Sequence, residues 1–66
     1  MNILLNNNNE EVSEGITVEK LLLLKKIEHK YFAVEINNTI VPKSTYVIHV
    51  IKDGDKIEII TAVGGG

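Results

Sequence analysis

Few side chains in this sequence have the type and spacing needed for acid–base, nucleophilic or metal chemistry. Its two histidines, His29 and His49, have no cysteine and no cluster of acids near them at a metal-ligand spacing. The absence of cysteine also excludes disulfides and thiolate nucleophiles. We therefore expect both histidines to be surface residues, and we expect no metal site.

The remaining polar candidates are carboxylates and hydroxyls. Glu10–Glu11 and Asp53–Asp55 could be proposed as carboxylate pairs, but both lie in or beside turn-forming sequence, where acids are usually solvated. The serines and threonines have no identifiable base partner. By elimination, the least ordinary reactive group is the carboxylate that follows Gly66.

The sequence closes with "VGGG", which permits two interpretations. A glycine-rich end can be a disordered terminus or an addition without a role. Alternatively, three extended residues reach about 10 Å, and because glycine has no Cβ they could enter a channel too narrow for other side chains. A carboxylate is an anion and a poor electrophile at neutral pH, so another enzyme would have to activate it, for example as an acyl-adenylate.

Length and composition favour a carrier or binding module over an enzyme. A chain of 66 residues has room for one domain and little space for a deep catalytic pocket. Seven basic residues against nine acids leave no basic surface for a nucleic acid. No segment resembles a signal peptide or approaches the roughly 20 apolar residues of a membrane span. We expect a cytoplasmic protein that binds neither nucleic acid nor membrane.

The first half of the chain predicts a strand pair and a helix. "MNILL" suits a strand with Ile3 and Leu5 on one face, the asparagine run 6–9 suits a turn, and a second strand is expected around Val12. "TVEKLLLLKK" predicts a helix of ten residues capped by Thr17. Its apolar stripe should consist of Val18, Leu21 and Leu22, widened by Leu23 or Leu24.

The second half predicts mainly strands. "YFAVEINNTIV" indicates a hairpin with Asn37–Asn38 in its turn and Pro42 at its end, and every second residue of its first strand, from Phe32 to Ile36, is apolar and on one face. "STYVIHVI" is interpreted as a short helical turn, although its β-branched residues also suit a strand. "KDGDKIEII" predicts a turn at Asp53–Asp55 and a final strand in which Ile57 and Ile59 share one face and Ile60 lies on the other. This order indicates an α+β domain in which a right-handed crossover places the first and last strands side by side and parallel.

Together, "TVEKLL", "INNTIVPKSTY", "KDGDKIEII" and the closing "VGGG" resemble the ThiS family, the ubiquitin-like sulfur carriers of thiamine biosynthesis. The resemblance covers essentially the whole chain, and its most specific parts are "IVPKS", "DGDKIEI" and the final diglycine. It implies a β-grasp fold with a mixed sheet of four to five strands and one main helix. Residues 1–63 would form this domain and 64–66 a flexible glycine tail. The asparagine run and Lys25, where many members have leucine, depart from the family pattern.

The resemblance also implies a function as a protein co-substrate rather than an enzyme. An E1-like, ThiF-like adenylyltransferase would use ATP to adenylate the carboxylate of Gly66. A cysteine desulfurase system would supply the sulfur that converts it to a thiocarboxylate, and a ThiG-like thiazole synthase would receive that sulfur. Gly64 and Gly65 would thread through the partner active site. No cofactor would be bound to the chain itself.

A carrier of this kind must dock beside its tail. We expect Ile60, Leu4 beside it on the neighbouring strand, and Val63 at the base of the tail to be apolar contacts for the partners, although each could instead be a scattered surface residue. Two other functions stay open. One is the small subunit of molybdopterin synthase, against which "IVPKS" and the short length argue. The other is a ubiquitin-like binding module whose glycines are incidental.

Overall fold

The computed structural model describes residues 1–27 and 32–61. Its elements are β1 (Asn2–Leu5), β2 (Asn8–Glu11), α1 (Val18–Leu24), β3 (Phe32–Ile36), β4 (Thr39–Ile40), a 3₁₀ turn (Lys43–Thr45) and β5 (Lys56–Thr61). The five strands form one mixed sheet in the order β2-β1-β5-β3-β4. β1 and β5 are parallel, while the other neighbours are antiparallel. This arrangement confirms the predicted α+β domain and its central parallel pair.

One face of the sheet packs against α1 and the loop that precedes β5. The apolar alternation predicted for β1, β3 and β5 is confirmed, because every second residue of these strands enters a single core. The buried members are Ile3, Leu5, Ile16, Val18, Leu21, Val34, Ile36, Val41, Tyr46, Ile51 and Ile57. The opposite face of the sheet does not pack against α1 or that loop; we call it the open face.

The first hairpin differs from the prediction. Asn6 and Asn7 have φ values of 48° and 68°, and these two left-handed residues alone reverse the chain. β2 therefore begins at Asn8, inside the asparagine run, and ends before Val12. The run does not lengthen the turn, and the prediction of a second strand around Val12 is wrong by a few residues. Asn37–Asn38 makes the second hairpin as predicted, with φ values of 52° and 70°.

The helix begins as predicted but ends early. The Thr17 Oγ1 accepts a hydrogen bond from the Lys20 N–H at 3.2 Å, which confirms the N-cap. α1 has only seven residues, and its last two, Leu23 and Leu24, are 67% and 65% exposed. The prediction that they widen the core stripe is wrong. The Lys25 ammonium instead pairs with the Glu10 carboxylate on β2 at 2.6 Å, a partly exposed contact that contributes at most about 1 kcal/mol.

Lys26 ends the helix in a conformation that glycine adopts more easily. Its φ is 54°, its N–H donates to the Leu23 carbonyl, and the Ile27 N–H donates to the Leu22 carbonyl, which together form a Schellman motif. We predict that Lys26→Gly raises the free energy of unfolding by about 0.5–1 kcal/mol. Lys20→Gly, inside the helix, should lower it by about 1 kcal/mol. Urea denaturation measures both, and a loss of stability in both variants would contradict this description of the helix end.

Candidate functional site

The final strand leads to the glycines, so the candidate site begins where β5 ends. β5 lies between β1 and β3, and its Ile57 side chain is completely buried in the core. The described part of β5 ends at Thr61. Val63, Gly64, Gly65 and Gly66 lie outside the described residues, as does His29, and the boundary predicted after residue 63 lies there too. The roles of these residues therefore stay predictions.

The start of β5 is fixed by the acids of the preceding turn. The Asp53 Oδ1 accepts from the Asn2 N–H at 2.8 Å, which ties the turn to β1. The Asp55 carboxylate accepts from the Asn37 side-chain amide at 3.0 Å and from the Lys52 N–H at 2.8 Å, which ties it to the β3–β4 hairpin. These aspartates do not face each other as an acid–base pair; they hold the strand that leads to the tail.

The two neighbours of β5 support it over different lengths. β3 pairs with β5 as far as Thr61, which lies opposite Phe32. β1 pairs only as far as Ile57, which lies beside Leu5. Beyond Leu5 the chain turns, and Asn6 provides the last contacts on that side: its N–H donates to the Ile57 carbonyl at 2.9 Å, and its Oδ1 accepts from the Ile59 N–H at 2.8 Å.

An aromatic cluster supports the end of β5 from the helix side of the sheet. Phe32, opposite Thr61, stacks on Tyr46 with ring centroids 6.2 Å apart, and the Lys43 ammonium lies 5.0 Å from the Phe32 ring centroid. Burial raises the pKa of the Tyr46 phenol. The Tyr46 side chain is buried and stacked on Phe32, so we interpret this cluster as a packing element at the end of β5.

The open face beside the strand end carries apolar side chains around a charged centre. Ile60 is 49% exposed and lies opposite Ala33 on β3, while Leu4 is 41% exposed and lies opposite Lys56. The prediction that Leu4 lies beside Ile60 is therefore wrong, since Ile60 lies four positions, about 13 Å, along β5 from Lys56. Glu58 lies between them.

The charges in that centre were not singled out from the sequence. Glu58 lies directly opposite Glu35 on β3, and the Lys56 ammonium is 3.6 Å from the Glu58 carboxylate. Like charges in facing positions weaken a sheet, so this pair is not explained by stability. The alternation of β3 and β5 indicates from the sequence that both glutamates lie on the open face. Only the register of the two strands shows that they lie opposite each other.

The described residues hold neither a metal-ligand cluster nor a membrane-spanning helix. Within residues 1–27 and 32–61, no group of three or more His, Cys, Asp or Glu side chains is placed to hold a metal ion. His49 is half-buried, and its carbonyl accepts from the Val18 N–H at 3.0 Å. Over that part of the chain, no helix has the length and apolar character needed to cross a membrane.

Comparison with known proteins gives consistent results. Residues 3–66 match the model of the ThiS family. The sulfur carrier protein ThiS of Escherichia coli K12 is 33% identical over 66 residues, covering 100% of both chains. A thiazole synthase of Paramagnetospirillum magneticum is 41% identical over all 66 residues, but this chain spans only 20% of that protein. The crystal structure of the thiamine biosynthesis protein ThiS from Geobacter metallireducens superimposes with a TM-score of 0.87 at 30% identity, covering 100% of both chains, which confirms the β-grasp fold.

Proposed function

Because the chain belongs to the ThiS family, whose members are small sulfur carriers of thiamine biosynthesis, we propose that it carries sulfur as a thiocarboxylate on Gly66 and delivers it to a thiazole synthase. One observation carries this proposal. The central strand of the sheet is fixed at its start and paired with β3 as far as Thr61, and only Ala62 and Val63 separate it in the sequence from Gly64, Gly65 and Gly66.

The chemistry requires that the carboxylate first become an electrophile. A carboxylate oxygen of Gly66 attacks the α-phosphorus of ATP, and pyrophosphate leaves. A persulfide sulfur that originates from cysteine then attacks the activated carbonyl and displaces AMP. A thiol of the partner system cleaves the S–S bond of the resulting acyl persulfide, which leaves the thiocarboxylate and a disulfide. The active sites for these steps belong to partner enzymes, so the chain serves as a protein co-substrate. ATP is used by the partner and is not a bound cofactor of this chain.

Three partners follow from this chemistry. An E1-like, ThiF-like adenylyltransferase activates the terminus, a cysteine desulfurase system supplies sulfur, and a ThiG-like thiazole synthase consumes it. The last partner has the most direct support, because a protein named thiazole synthase contains a segment similar to all 66 residues of this chain. The same similarity favours the thiamine pathway over the molybdopterin pathway. We expect these reactions to take place in the cytoplasm.

Docking is proposed to use the open face near the strand end. Ile60 lies there beside Ala33, and Val63 follows it toward the tail. The facing Glu35 and Glu58 suit a partner that presents a basic side chain next to an apolar one. Leu4 lies at the far end of this face and extends the surface only if the partner also covers Lys56.

Replacing Ile60 by aspartate tests this surface. We predict that Ile60→Asp raises the KM of the adenylating enzyme for the carrier about tenfold or more, because a buried apolar contact becomes a desolvated charge. Leu23→Asp is the matched control, since Leu23 is 67% exposed but lies on the helix, away from the open face. Equal KM values for the two variants, both folded by circular dichroism, would remove the open face from the docking surface.

Reconstitution with purified enzymes tests the function itself. The chain is incubated with ATP, cysteine, a thiol reductant, a cysteine desulfurase, a ThiF-like adenylyltransferase and a ThiG-like thiazole synthase with its carbon and nitrogen substrates, and thiazole phosphate is measured. A parallel reaction contains the large subunit of molybdopterin synthase and its pterin substrate in place of the thiazole synthase and its substrates. Thiazole phosphate formed only in the presence of this chain is expected. Product in the molybdopterin reaction alone would contradict the proposed pathway. No adenylation in either reaction, with an intact terminus, would favour a binding module.

A further inference from the structure

Asn6 makes an unusual pair of contacts with the final strand. Its φ of 48° takes the chain out of β1 and into the hairpin turn, yet it still makes two successive ladder bonds to β5. The first uses its backbone N–H, which donates to the Ile57 carbonyl. The second uses its side-chain Oδ1, which accepts from the Ile59 N–H at 2.8 Å. In a regular parallel ladder, a backbone carbonyl of β1 would accept this next hydrogen bond from β5. Here the side-chain amide oxygen of Asn6 accepts it instead.

The Ile59 contact lies at a critical point along β5. The Asn37 N–H donates to the Lys56 carbonyl, and by alternation the backbone groups of Glu58 and Ile60 also face β3. Those of Ile57 and Ile59 face β1. Without the Asn6 side chain, the hydrogen bonds between β5 and the β1 side would end at Ile57. The rest of β5 would then be hydrogen-bonded to β3 alone.

Small changes in strand direction at this point have large effects further along. Gly66 lies seven positions after Ile59 in the sequence, so the chain between them reaches at most about 24 Å. If that chain were fully extended, a change of about 10° in the direction of β5 at Ile59 would move its end by up to about 4 Å. Reacting groups must be placed to within about 1 Å. A looser strand therefore loses more conformational entropy when the residues that follow it bind in the active site of a partner.

We propose that Asn6 is a positioning residue for sulfur transfer: its side-chain amide fixes the direction of β5 at Ile59 and so aims the chain that ends at Gly66. It does not touch the reacting carbon. This inference rests on the proposed function, because the direction of β5 affects activity only if a partner must bind the terminus.

Three substitutions separate this role from general stability. Asn6→Gly retains the left-handed backbone and the N–H that bonds Ile57, and it removes only the acceptor for Ile59. Asn6→Asp keeps an acceptor oxygen in the same position. Asn7→Gly is the matched control, because Asn7 lies in the same turn with φ 68° and its side chain makes no hydrogen bond within the described ranges 1–27 and 32–61. Both glycine variants lose the same backbone entropy on folding.

Two measurements on the full chain give the test. In Asn6→Gly, the Ile59 amide should exchange with solvent at least about fivefold faster than in the original protein, while the Ile57 amide keeps its rate. In ATP–pyrophosphate exchange catalysed by a ThiF-like enzyme, kcat/KM for Asn6→Gly should fall about fivefold, mainly through KM. Asn6→Asp and Asn7→Gly should stay within about twofold of the original protein in both measurements.

The outcomes distinguish this inference from the function on which it rests. If the original protein supports exchange and Asn6→Gly is as active as Asn7→Gly, the positioning role is overturned and the proposed function stands. A kinetic loss that Asn6→Asp does not rescue also overturns it. If the original protein supports no exchange, the proposed function and the positioning role fall together, even where the Ile59 amide behaves as expected.

Discussion

A phenylalanine added after Gly66 is expected to lower adenylation and sulfur acceptance at least about a hundredfold while the fold is kept. The addition converts the reacting carboxylate of Gly66 into an amide and moves the free carboxylate about 3.5 Å further along the chain. Displacements of about 1 Å already lower such rates about a hundredfold. ATP–pyrophosphate exchange measures the loss, and thermal unfolding followed by circular dichroism shows that the domain is intact.

Removal of the added residue provides the control for this experiment. Carboxypeptidase treatment that restores the original terminus should restore exchange in the same sample, which excludes damage to the domain. Replacing Gly65 with tryptophan should produce a similar loss without changing the terminal group, because a bulky side chain cannot follow the path of a glycine thread. Full activity of the extended protein would show that the Gly66 carboxylate is not the acceptor.

Ile57→Ala is expected to unfold much of the protein, the largest stability effect of any single truncation on β5. The Ile57 side chain is 0% exposed at the centre of the core, between β1 and β3. Removing most of it costs about 2–5 kcal/mol. That is comparable to the whole stability of a domain of this size, which is rarely more than about 3–5 kcal/mol.

Ile60→Ala is the matched control, since it makes the same change three residues further along the same strand at a position that is 49% exposed. It should cost less than about 1 kcal/mol, because most of the removed surface was already in water. Urea denaturation compares the two midpoints. Similar losses would show that Ile60 is also part of the core and would remove it from the proposed docking surface.

Periodicity predicted much of this fold because most elements bury only one face. Alternation in β1 and β5 correctly assigned Ile3 and Ile57 to the core and Leu4 and Ile60 to the other face. Thr17 was recognisable as an N-cap because its oxygen needs only a neighbour three residues away. Both features are local, so the sequence contains the information that decides them.

The features that were missed depend on conformations or contacts that local patterns do not contain. Lys26 is a good helix former, and nothing nearby in the sequence announces its left-handed conformation, so the helix was predicted too long. Four identical asparagines carry no periodicity, so the start of β2 could not be placed. The distance between Leu4 and Ile60 depends on the parallel register of β1 and β5, which is set by residues more than fifty positions apart.

The role of Asn6 was hidden for a related reason. In the sequence it is one of several polar residues in a turn, and turn-forming asparagines are common. Only the register of β5 brings its side chain to the Ile59 amide. The candidate site therefore has two parts. The terminus could be recognised in the sequence, whereas the Asn6 contact that supports β5 is seen only in the structure.

Fragment-ion mass spectrometry of the C-terminal peptide tests the central claim most directly. After incubation with ATP, cysteine, a thiol reductant, a cysteine desulfurase and a ThiF-like adenylyltransferase, the protein should gain the mass of one oxygen-to-sulfur exchange, and the fragments should place it on Gly66. The location matters because oxidation of Met1, the single methionine, adds nearly the same mass. An exchange confined to Gly66 and dependent on ATP is the predicted result. An unchanged Gly66 in a folded protein with an intact terminus, under conditions in which the same enzymes modify the E. coli carrier, would contradict it.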